Sequence, residues 1–104
     1  MINKFFQFLG LSKRAGKLLE GYNKCNDALN KREIFLFILS LDISERTKKL
    51  FITYCEKNNI PYILDFYKED LGSAIGRAEV NIIGVTDDNI SKKLLSLYEE
   101  NKQI

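Results

Sequence analysis

Residues 34–39 read Ile-Phe-Leu-Phe-Ile-Leu, six apolar side chains without a break. A strand with one wet face alternates apolar and polar residues, whereas an unbroken run of strand formers needs cover on both faces. Residues 80–85, Val-Asn-Ile-Ile-Gly-Val, read as a second strand of this kind. Two such strands call for a sheet with helices on either side.

The rest of the chain supplies those helices. Phe5, Phe6, Phe8, Leu9 and Leu11 recur at near-helical spacing behind Asn3, an N-cap residue type, so a helix is expected over 3–14 with Gly16 as its stop. Residues 17–20 have room only for a short edge strand. Cys25, Ala28 and Leu29 have the i, i+3, i+4 spacing of a second helix, opened by Asn23 and ending on Lys31-Arg32. Ser44 is placed to cap a third, with Thr47, Leu50, Phe51, Tyr54 and Cys55 as its inward stripe. Asn58-Asn59 and Pro61 end it, and Tyr62–Phe66 follows as a strand. Glu69-Asp70 begin a brief helix that breaks near Gly72 and Gly76. Thr86 or Asp87 caps a last helix with Ile90, Leu94, Leu95 and Tyr98 inward. This alternation predicts an α/β chain: a three-layer α/β/α sandwich around a small mixed, largely parallel four-stranded sheet, one domain over residues 1–104.

A chain of 104 residues suffices for a single core, and 45% hydrophobic with 29% charged residues is a globular composition. No apolar run approaches the roughly 18–20 residues that cross a bilayer. Lys4 interrupts the apolar start and Lys13-Arg14 follow it, the reverse of a signal peptide, so a cytoplasmic protein without membrane contact is expected. Cys25 and Cys55 are lone thiols, and without histidine they do not complete a zinc site; both read as buried hydrophobes.

Charge is unevenly spread. Residues 1–52 hold ten Lys/Arg against five Asp/Glu, whereas 53–104 hold six against nine. The excess is concentrated between residues 13 and 32, where Lys13, Arg14, Lys17, Lys31 and Arg32 flank Gly21-Tyr22-Asn23-Lys24. A helix start carries unpaired N–H groups and partial positive charge, so this arrangement offers a seat for a nucleic-acid backbone. The plainer alternative is an N-cap, a turn glycine and solvated cations.

Other chemistry finds little support. Gly10-Leu11-Ser12-Lys13-Arg14-Ala15-Gly16-Lys17 has five residues between its glycines, and Leu18 stands where a phosphate-binding loop needs Ser or Thr. Asp87-Asp88 sit where a helix start wants acids. With no histidine, the usual general base near neutral pH is missing. A non-enzymatic protein is expected, with no cofactor, metal or small-molecule substrate.

Taken together, these segments resemble the ribosomal-protein group that binds kink-turn RNA, of the L-seven-Ae and L-thirty-e type, and within it the small bacterial YlxQ-like branch. The resemblance runs from residue 4 to about 98. It rests on Gly10-Leu11-Ser12-Lys13-Arg14-Ala15-Gly16-Lys17-Leu18, on Cys55-Glu56-Lys57-Asn58-Asn59-Ile60-Pro61-Tyr62, and on Leu71-Gly72-Ser73-Ala74-Ile75-Gly76. It implies the sandwich already reached from periodicity, and RNA as the partner, including ribosomal RNA; a monomer is expected, since no residue points to a dimer interface.

In that group the second helix begins Gly-x-Asn-Glu-x-x-Lys and reads sheared G·A pairs. Gly21 and Asn23 match, while Lys24 replaces the glutamate and Asp27 the lysine. Donor and acceptor are thus exchanged, so guanine-edge contacts of the family type do not form unchanged. Lys24 and Asp27 are expected to pair with each other at i, i+3, worth about 0.2–0.5 kcal/mol. The resemblance also implies a second contact loop over residues 75–79. There Ile75 packs on a base or belongs to the core, Gly76 permits close backbone approach, and Arg77 stacks or binds phosphate. Lys13, Arg14, Lys17, Lys31, Arg32 and Arg77 are the expected backbone contacts. The alternative from another class is a protein-interaction module on the same fold.

Overall fold

The computed structural model describes residues 4–102, in the order α1 (Lys4–Arg14), β1 (Leu18–Glu20), α2 (Tyr22–Ala28), β2 (Leu36–Ser40), α3 (Glu45–Asn58), β3 (Tyr62–Phe66), α4 (Lys68–Ala74), β4 (Ile82–Val85) and α5 (Asp88–Lys102). Asn3, the expected cap of α1, lies outside the described residues. The strands form one sheet in the order β1-β4-β2-β3. β2 is internal and every one of its residues is buried, as its apolar run requires.

The sheet separates two apolar clusters. Leu36 and Ile38 of β2 join Ile83 and Val85 of β4, Phe5 and Leu9 of α1, Leu71 of α4, and Leu94 and Leu97 of α5. On the opposite face Phe37 and Leu39 join Ile82, Cys25 and Ala28 of α2, and Phe51 and Cys55 of α3. Alternate residues of one strand therefore serve opposite cores. Gly84 makes room for Phe37, since a Cβ there would stand 3.3 Å from the ring.

Local signals act where the sequence placed them for α3. Ser44 caps it by accepting from the Thr47 N–H at 3.2 Å, and Asn59 ends it in the left-handed region at φ 57°. Its stripe is narrower than expected, because Leu50 is 42% exposed. Asp87 caps α5, with Oδ2 accepting from the Ile90 N–H at 3.0 Å.

The sheet is mixed, but it is not largely parallel in its pairing. β2 and β3 pair in parallel, while β4 runs antiparallel to both neighbours, β1 and β2. Residues 67–81 do not cross back over the sheet, so β4 starts from the end at which β3 finishes and runs against its neighbours. The chain leaves β3 and enters β4 at the same end of the sheet, with Ser40 N–H bonded to Asn81 O and Leu41 N–H to Phe66 O.

Candidate nucleic-acid interface

The reversal of β4 gives one end of the sheet its character. β1, β2 and β3 all finish there, α2 begins there, and residues 75–81 return there. Gly21 N–H donates to Ile82 O at 2.8 Å, fixing the start of α2 against the first residue of β4. Gly21 holds φ 95°, which a side chain would strain. It is Gly21, not Asn23, that precedes the helix, with no side-chain cap bond. Asn23 is instead the second helical residue, exposed, with its amide uncommitted among the described residues. No protein acceptor takes the N–H of Tyr22, Asn23 or Lys24 among those residues.

The loop at residues 75–79 is held in place by two close approaches. A Cβ on Gly10 of α1 would come 2.9 Å from Ala74 O, so α1 lies directly on α4. A Cβ on Gly72 would come 2.5 Å from Glu79 Cα and 2.9 Å from Arg77 O, so the loop folds back onto α4 at its glycine. Gly72 O accepts from the N–H groups of Ile75 and Arg77 at 3.0 and 2.9 Å. The same loop is anchored by Lys68–Glu79 at 3.5 Å.

Glu20 ties this loop to α1. Its carboxylate accepts from Lys13 Nζ and, at 3.5 Å, from Arg77 Nη1. Its side chain is 12% exposed, against 39% for Lys13 and 46% for Arg77. Two expected phosphate contacts thus share one largely buried counter-charge, a residue absent from the sequence expectations. The trace in the sequence is slight: an acid directly before Gly21 in a basic stretch.

The remaining candidates are distributed more widely than expected. Ile75 is 5% exposed and belongs to the core beside α1, so it presents no surface for a base. Gly76, at φ 80°, and exposed Arg77 remain. Lys17 lies at the far end of β1, where its carbonyl accepts from the Thr86 N–H. The second helix ends at Ala28, not at Arg32, because Leu29 is extended at ψ 128° and Asn30 then turns into the left-handed region at φ 67°. Lys31 and Arg32 follow that turn. With Lys24, Asp27, Leu19 and Ala28 they line a shallow groove of about 320 Å³ along α2. Lys24 and Asp27 form no ion pair within 4 Å, so both charged groups stay available. Arg14 is exposed at the end of α1.

These groups offer hydrogen-bond donors and cations, with no nucleophile among them. Burial pushes the Cys25 and Cys55 thiols up to about 12, and Cys25 Sγ donates to Leu19 O at 3.4 Å. Among the described residues no group of three or more His, Cys, Asp or Glu is placed to hold a metal. Among the described residues no helix is long and apolar enough to cross a membrane.

Known proteins resemble this chain in sequence and fold. The chain is 29% identical over 96 residues to the RNA-binding protein YlxQ of Bacillus subtilis, spanning 92% of this chain and 96% of that one. It is 25% identical to the large ribosomal subunit protein eL8 of Thermoplasma volcanium, over 86% and 78% of the two chains. A protein of unknown function from Bacillus halodurans superimposes with a TM-score of 0.89 at 36% identity, covering 94% of this chain and 99% of that one. Residues 3–95 match the family described as ribosomal protein L7Ae/L30e/S12e/Gadd45, and the chain belongs to that family.

Proposed function

We propose that this chain is a non-enzymatic, monomeric RNA-binding protein of the cytoplasm that recognises structured RNA of the kink-turn type in association with the ribosome. The observation that carries this reading is the uncommitted amide of Asn23, set in the first turn of α2 at the same sheet end as Arg77. An amide donates and accepts at once, which suits a base edge, and Arg77 suits phosphate or stacking. Lys24 beside it changes what is read: a donor meets acceptors such as guanine O6 or phosphate, where a glutamate would accept from N–H groups. Lys13, Arg14, Lys31 and Arg32 add backbone contacts, and Lys17 contributes through long-range field alone, being at the far end of β1.

A fluorescence-anisotropy titration tests the proposal, with a kink-turn RNA beside the same RNA whose G·A pairs are replaced, at about 0.15 M salt. The intact kink is expected to bind more tightly, with log affinity falling against log salt at a slope near −3 to −4, as about three to five phosphate contacts require. Equal affinity for both RNAs would remove the kink-turn specificity, and no binding to either would remove the RNA function.

A further inference from the structure

A second opening lies behind the first turn of α2. A groove of about 710 Å³ runs between Tyr22 and the outer face of α3. Its floor is apolar and aromatic: Leu50 and Tyr22 are 42% and 45% exposed, and Tyr54 of α3 lines it beside them. Both rings are set by packing. Tyr22 meets Phe51 edge-on at 6.0 Å, and Tyr54 meets Phe37 edge-on at 6.4 Å. Tyr54 Oη accepts the Asn30 N–H at 3.2 Å, which fixes the hydroxyl end.

The rim carries one sign of charge. Arg46, Lys49 and Lys57 line the groove, no acid does, and none of the three has an ion-pair partner among the described residues. Glu45, the nearest acid in sequence to Arg46, is engaged by Lys48 at 3.2 Å. Arg46 and Lys57 are separated by about 16 Å of helix, enough for a short run of nucleotides. Tyrosine faces beside unpaired cations are how proteins hold unpaired bases and their phosphates together.

We infer that this groove takes a single-stranded RNA segment continuous with the folded RNA at Asn23. The inference rests on the RNA reading above. Its direction comes from Tyr22, which precedes Asn23 in the same helical turn and lines the groove, so a strand leaving the first site passes onto the second.

The test uses the full chain and anisotropy with two RNAs, a kink-turn element alone and the same element with a tail of about six uridines on either end. One tailed form is expected to bind about tenfold more tightly than the bare element. The double variant Arg46→Ala/Lys49→Ala should lose that gain while binding the bare element as before. A tail without effect on the wild type, alongside good binding of the bare element, would overturn the groove and leave the RNA reading standing. Failure of both RNAs to bind would overturn both. Equal loss on tailed and bare RNA in the double variant would reduce the groove to diffuse charge. A photo-crosslinking residue at exposed Thr53 adds a second readout in cells. RNA adducts support the inference, and adducts with a protein alone would overturn it in favour of a protein partner.

Discussion

Asn23 separates two roles that its residue type merges. As a helix cap its loss would cost roughly 1 kcal/mol of stability, and as a base reader it would cost binding instead. The structure removes the first role, because Gly21 holds the cap position and Asn23 has no side-chain hydrogen bond among the described residues. Asn23→Ala is therefore expected to leave urea denaturation within about 0.5 kcal/mol of the wild type. The same variant should weaken kink-turn RNA by about 1–3 kcal/mol in the titration. The two thiols set a different residue-level expectation. Their folded pKa is raised to about 12 from an ordinary value near 9, so above pH 9 the unfolded chain releases protons that the folded chain keeps. Stability is then full below pH 9 and falls as pH climbs toward 12, by up to about 1.4 kcal/mol per pH unit for each thiol. Denaturation midpoints at pH 8 and pH 10.5, compared with those of Cys25→Ala/Cys55→Ala, check the sign: the variant should show the shallower alkaline decline.

At the level of elements, burial was legible and adjacency was not. The run at 34–39 foretold an internal strand, and β2 is one, while Ser44 and Asn59 bound α3 as their chemistry directs. Periodicity states which face of an element is apolar and is silent on which strand lies beside it. The antiparallel entry of β4 follows instead from where residues 67–81 return, with Asn81 beside Ser40, which no local pattern states. The role of Glu20 is illegible in the sequence for a related reason. Its partner Arg77 is 57 residues away, and no local pattern carries a contact of that span. Gly10 and Gly72, one in each of the two glycine-bearing signature segments, have steric roles: Gly10 admits Ala74, and Gly72 admits Glu79. Gly72→Ala should cost about 1–3 kcal/mol by overpacking, read from urea denaturation. It should also weaken RNA binding by displacing the loop that carries Arg77. Unchanged stability would mean that the loop yields without strain.

Across the whole molecule, two cores lie back to back with only the sheet between them. α2 belongs to one and the loop bearing Arg77 to the other, since Ile75 and Val80 on either side of that loop are buried with α1 and α5. Within the protein the Glu20 carboxylate stays on the α1 side of this divide, where it meets Lys13 and Arg77. An RNA held by Asn23 and Arg77 together would act as a staple across the sheet, fastening one packed layer to the other at the end where α2 begins. Binding energy would then reach both cores at once. The groove on α3, by contrast, loads a single layer, so the two proposed contacts pull on the fold in different ways although they share one ligand.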